Sequence, residues 1–117
     1  MNTKYTFTKS LVDRQNEAEK AMLEEFHNGD YTLEHPLVKL NPYFINPLAA
    51  VVLFKTEEEI AVTVTVLGKE PAGNMKHTFP KAKEHNLPIL GLYGGYKNKV
   101  EIELYRSEKN TIEIETE

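Results

Sequence analysis

Cysteine is absent from this 117-residue chain, so disulfides, thiolate nucleophiles and Cys-ligated zinc are excluded. That absence leaves the compartment open, because an exported domain can lack disulfides. Long apolar runs are missing as well. The longest, Leu48–Phe54, falls far short of the roughly 20 residues a membrane span needs. The opening MNTKYTFTKS has no apolar stretch of the signal-peptide kind, so a chain without a signal is expected; an exported parent would have lost it. No Lys/Arg cluster with interleaved aromatics occurs and the formal net charge is -4, which argues against a nucleic-acid partner.

What is present is ordinary: 40% hydrophobic and 27% charged residues, in a length that suits one domain with a real core. Ser10 with Asp13 predicts a helix N-terminus, the acid sitting where the helix dipole favours it. Leu11, Ala18, Met22 and Phe26 then recur at helical spacing, with Val12 and Leu23 beside them. Arg14, Glu17, Glu24 and Glu25 form the opposite, charged face. Gly29 suits a left-handed stop, so the helix should end near His27 or Asn28. Met1–Thr8 reads as an extended lead-in, and residues 1–35 as lead-in plus amphipathic helix. An isolated helix of this length is marginal in water, so its apolar stripe must cover the domain or reach a partner.

Beyond His35 the pattern changes to β. Pro36, Pro42 and Pro47 break the chain into short pieces, of which Leu37–Leu40 suits an edge strand. Leu48–Phe54 lacks alternation and predicts a strand buried on both faces, or one flanked by a covering element. Thr56–Glu59 reads as a turn. Ile60–Leu67 alternates, with Val62, Val64 and Val66 on one face and Ala61, Thr63 and Thr65 on the other.

Gly68–Asn74 has the composition of a loop. Met75, His77 and Phe79 make a short strand expected to end at Pro80, and Lys81–Leu87 reads as one helical turn or an irregular crossing. Tyr93-Gly94-Gly95-Tyr96 reads as a turn. Val100, Ile102 and Leu104 face Ile112 and Ile114 across a final hairpin turning at Ser107–Asn110. Its outer face carries Glu101, Glu103, Glu113 and Glu115, which need a staggered register or basic neighbours. Residues 36–117 thus predict an immunoglobulin- or fibronectin III-like β-sandwich of about seven strands. The chain stops at Glu117 in mid-alternation, as expected of a domain cut from a longer protein.

The succession NPLAAVVLFKT, IAVTVTVLGK and HTFPKAKEHNLPILGLYGGYKNKVEIEL resembles one family over roughly Asn41 to Leu104. That family is the N-terminal immunoglobulin-like domain of bacterial aryl-sulfate sulfotransferases, which work without a nucleotide sulfate donor. The most specific portion is His77-Thr78-Phe79-Pro80 followed by Leu87-Pro88 and Gly91-Leu92-Tyr93. The resemblance implies a parent enzyme that moves a sulfuryl group from a phenolic sulfate ester to a phenol. It implies that the transiently sulfated histidine lies in a following β-propeller, so no catalytic residue transfers to this chain. It implies a non-catalytic accessory domain, a homodimeric parent, and a periplasmic or extracytoplasmic location.

The residues themselves add no chemistry. His27, His35, His77 and His85 show no His-x-x-x-His or His-Glu-x-x-His spacing, so no metal site is expected. No cofactor motif occurs either: the Gly94-Gly95 pair lacks the order of a phosphate loop. Ser10 and Ser107 are the only serines and no Gly-x-Ser-x-Gly is present, so hydrolase chemistry is unsupported. A nucleophilic His77 would need converging cationic donors, and Lys76, Lys81 and Lys83 are scattered. His77 is expected on a strand and His85 on a loop surface. The candidate interface residues are Met22 and Phe26 on the helix and Tyr43, Phe44, Tyr93 and Tyr96 at loop–strand junctions. Two readings of the tyrosine and phenylalanine group stand together, a contact patch or plugs for the ends of the sandwich. A free-standing sandwich module that binds a protein or carbohydrate partner and an enzyme centred on His77 remain as rivals to the accessory domain.

Overall fold

A computed structural model describes residues 10–44, 46–70 and 73–117; the lead-in Met1–Thr8 lies outside them. Among the described residues are one helix, α1 (Leu11–Asn28), and five antiparallel strands. The strands are β1 (Leu37–Leu40), β2 (Ala50–Val66), β3 (Met75–Ile89), β4 (Lys97–Leu104) and β5 (Lys109–Glu115). The fold is mainly β and immunoglobulin-like, as the alternation predicted. Only the strand count differs, because two expected breaks do not end their strands.

The first is Thr56–Glu59, which is no turn but part of β2. The β2–β3 ladder jumps there from Lys55↔Glu84 to Ile60↔Ala82, leaving four β2 residues opposite the single Lys83. Extra residues on one strand bend it and raise its twist. The second is Pro80, which falls in the next register shift, between Ala82 and Phe79. Proline is tolerated there because β3 pairs with β2 alone among the described residues, so its other side asks for no donor. Lys81–Leu87 is accordingly strand and not helix.

The bend builds the domain. Straight, β2 would carry Ala50 roughly 50 Å from Val66 at the usual strand rise. Yet Ile89, the partner of Ala50, lines one groove with Val66 and its partner Met75. The β2–β3 ribbon is therefore folded back on itself. One layer is β1, Ala50–Lys55 and Glu84–Ile89; the other is Met75–Phe79, Val62–Val66, β4 and β5. Val52, Phe54, Leu87 and Ile89 from the first layer meet Val62, Val64, Val66, Val100, Ile102 and Ile114 from the second in one core.

Helix α1 covers the outside of the first layer. Ser10 caps it, its Oγ accepting from the Asp13 amide at 3.1 Å. Met22 and Phe26 bury against Leu37, Val51 and Leu53, each contributing about 1.5–3 kcal/mol by the usual transfer scale. Lys39 on β1 holds Glu25 at 2.8 Å, and this bond, with the lysine charge, lowers the Glu25 pKa against a smaller desolvation effect. The predicted stripe is shorter than expected: Leu11 and Val12 are exposed, because sheet lies only under the later turns. Gly29 also departs from expectation, being extended at φ -111 rather than left-handed.

The hairpin β4–β5 resolves its glutamates by register. Glu103 faces Lys109, Lys99 faces Glu113, Lys97 faces Glu115, and Glu101 faces Thr111. No two carboxylates are directly opposed.

Candidate functional site

Three loops meet at the end of the sandwich away from the bend. They are Asn41–Ala49, the β2–β3 loop, and Leu90–Tyr96. The amide of Leu92 donates to the Leu48 carbonyl at 3.2 Å, and a Cβ on Gly73 would lie 3.3 Å from the Tyr93 hydroxyl. The last residues of the chain arrive here too, the Gly95 amide donating to the Glu117 carbonyl at 3.0 Å.

The aromatics form two clusters at this end. Tyr93 and Tyr96 stack edge to face at 5.6 Å, and the Lys69 ammonium sits 4.9 Å from both ring centres. Phe44 is exposed, holds a left-handed backbone at φ 64, and carries the Arg14 guanidinium 4.7 Å above its ring. A non-glycine residue in that region costs on the order of 1 kcal/mol or more, met here by its surroundings. Tyr43 is half-buried; its carbonyl accepts from Gln15 at 2.8 Å and its hydroxyl donates to Glu19 at 3.2 Å. Burial first, and Glu19 second, raise its phenol pKa.

Met22 and Phe26 are placed differently. Both are buried within this chain, at 4% and 2% exposure, and serve the helix–sheet contact. The six residues therefore do not share one surface.

Behind the loop end an apolar groove of about 300 Å³ opens along β3, lined chiefly by Val64, Val66, Met75, Phe79, Ile89 and Leu90, with Lys76, His77 and Pro88. Met75, His77 and Phe79 sit opposite Val66, Val64 and Val62, so they occupy core-facing register positions. Even so, Met75 is 54% exposed and His77 is exposed, its ring 4.6 Å from that of Phe79. Among the described residues no three His, Asp or Glu side chains gather there into a metal-holding cluster.

His85 corrects the surface expectation. It is 2% exposed, stacked 4.7 Å from Phe54, with Nε2 3.1 Å from the Thr56 hydroxyl. Burial lowers its pKa. The Thr56 hydroxyl also donates to the Glu58 carbonyl at 2.8 Å, and the donor across the Thr56–His85 contact follows the ring's tautomer.

Sequence reasoning also missed Asn98, fully buried on the inner face of β4. Its amide accepts from the Tyr93 N–H at 2.8 Å and donates to the carbonyls of Tyr93, Tyr96 and Ile114 at 3.0, 3.1 and 3.2 Å. Asn98 shares the parity of Val100, Ile102 and Leu104, and that inward polar position was the available signal. Thr116 joins it, its hydroxyl donating to the Tyr93 carbonyl.

The folded ribbon, its antiparallel layers and the Asn98-centred loop end define an immunoglobulin-like β domain. Residues 37–117 match the family described as the arylsulfotransferase Ig-like domain, more than half of the chain, and the chain belongs to that family. No curated protein and no solved structure matches it. No helix among the described residues is long and apolar enough to cross a membrane.

Proposed function

We propose that this chain is the non-catalytic N-terminal accessory domain of an aryl-sulfate sulfotransferase. The family match over residues 37–117 carries that reading. In it, the parent enzyme passes a sulfuryl group from a phenolic sulfate ester to a phenol through a histidine of a following β-propeller. The loop end, with Phe44, Tyr43, Tyr93 and Tyr96, is the surface offered to the propeller or to a second subunit. Phe44 and Tyr96 are exposed, aromatics at a surface favour contact burial, and the end of β5 delivers the chain to the same place. His77 has no part in transfer. The lysines nearest it in sequence, Lys76, Lys81 and Lys83, lie scattered along the strand, whereas developing negative charge on a sulfuryl group requires donors that converge.

Two measurements test this. The chain incubated with nitrophenyl sulfate and a phenol should release no nitrophenolate above buffer; release abolished by His77→Ala would sink the accessory reading. The chain should also bind the propeller portion of its parent, and Phe44→Ala with Tyr96→Ala should weaken that binding on the order of tenfold. Binding unaffected by both changes would remove the loop end from the contact.

A further inference from the structure

The groove along β3 is a slot in the side of the sandwich, framed by both layers. Met75, His77 and Phe79 border it from the second layer, and Pro88 and Ile89 from the first, with Leu90 beside them. Val66, Val64 and Val62, the register partners on β2, are buried, yet Met75 and His77 are exposed and Phe79 is half-buried. Met75 lies over the backbone of Gly91, where a Cβ would come within 2.6 Å of its Sδ. Methionine is flexible and polarizable, and is favoured at surfaces that receive partner side chains.

The same segment is a sheet edge, since β3 pairs with β2 alone among the described residues. The other edges carry blocks against an added strand. Pro80 and Pro88, with Lys81 and Lys83, interrupt the rest of β3. Strand β1 is four residues long, between Pro36 and Pro42, and Asn110 on β5 is tied to the Leu33 carbonyl at 2.9 Å. Met75–Phe79 holds five residues without a proline. An apolar slot beside such an edge suits one added strand, whose backbone pairs with the edge and whose alternate side chains fill the slot.

We propose that Met75–Phe79 receives an extended segment of a partner polypeptide, in which two apolar side chains at i and i+2 alternate with acidic ones. Size sets the apolar pair. An apolar cavity of roughly 150 Å³ takes one benzene-sized group, and the groove measures about 300 Å³. Charge sets the residues between. In a chain of net charge -4, the stretch Met75–Lys83 carries three lysines and no acid. The groove lining includes Lys76 and His77 and, among the described residues, no carboxylate. Lys76 shares the outer face with Thr78, opposite to Met75 and His77, so the alternate residues of an added strand stand beside it. A carboxylate there meets a cation, whereas a lysine would meet a like charge, which destabilises a strand pair. None of Tyr43, Phe44, Tyr93 and Tyr96 lines the groove, so this contact is separate from the one at the loop end.

Three capped synthetic peptides added to the whole chain test the proposal: TEVEFET, its basic counterpart TKVKFKT, and TESESET, which lacks the apolar pair. Calorimetry should find the acidic apolar peptide binding at least about tenfold more tightly than either of the others. Bound, it should slow amide exchange across residues 75–79 by about tenfold or more, with exchange across β4–β5 unchanged as the folding control. Lys76→Glu, at an exposed outer position, should reverse the preference between the acidic and basic peptides. Equal affinity for TEVEFET and TKVKFKT, or a preference that survives Lys76→Glu, would overturn the charge assignment and with it the proposal. Binding of TESESET as tight as that of TEVEFET, or no slowing across residues 75–79, would overturn it as well. So would protection of that segment that grows with protein concentration in the absence of peptide, because the slot would then belong to a second copy.

Discussion

The two ends of β2 carry different lessons in one strand. At Ala50–Phe54 five successive residues are buried, because the inner face meets the core while the outer face meets α1. At Val62–Val66 only alternate residues are buried, and Thr63 and Thr65 are left half-buried on an outer face with no helix above it. An unbroken apolar run thus announces a second covering element, and clean alternation announces open solvent. Polar partners complete the bare side: Thr63 bonds Thr78 across the strands at 3.0 Å.

The comparison breaks most readily at the helix. Phe26→Ala should cost about 3–5 kcal/mol of unfolding free energy, while Thr65→Ala stays within about 0.5 kcal/mol, as surface changes do. Urea titration of both variants measures the contrast, and equal midpoints would mean that α1 adds nothing. A smaller effect belongs to the bend between the two ends, where His85 is buried. Its folded pKa lies below the unfolded value near 6.5. Below that pH the unfolded chain binds more protons, so stability falls as pH drops from about 6.5 through the depressed folded value. The urea midpoint should therefore be lower at pH 5.5 than at pH 8, with the difference shrinking in His85→Leu. The smallest effect lies on the bare hairpin. Lys99→Glu places a carboxylate opposite Glu113 and should cost about 0.2–1 kcal/mol, screened by salt. A thermal melt at low and high salt would show it.

Much of this was legible in the residues. The Ser10 cap, the edge strand Leu37–Leu40, the doubly buried run and the inward faces of β2, β4 and β5 all follow from spacing and alternation. The bend was not. Three glutamates after Thr56 look like a solvated turn, and Pro80 looks like a stop, because local chemistry cannot report that a strand partner lies on one side only. His85 was misplaced for the same reason: its segment is polar, and only the strand pairing Phe54↔His85 turns the ring inward. The loop-end aromatics were identifiable as candidates at loop–strand junctions, of which Phe44 and Tyr96 are exposed and Tyr43 and Tyr93 half-buried. Their grouping was hidden, since Lys69 meets Tyr93 and Tyr96 across loops distant in sequence.

The folded ribbon has one more consequence. Two separate sheets can slide over each other, but layers cut from one hydrogen-bonded ribbon share a spine, here at Thr56–Ile60. Their easiest relative motion is rotation about that spine, like the boards of a book. The far margin then has the longest lever arm, and a tie placed there resists opening with the greatest leverage. Asn98 and Thr116 stand at that margin, fastening the Leu90–Tyr96 crossover to the last turn of chain. They work as the clasp opposite the hinge.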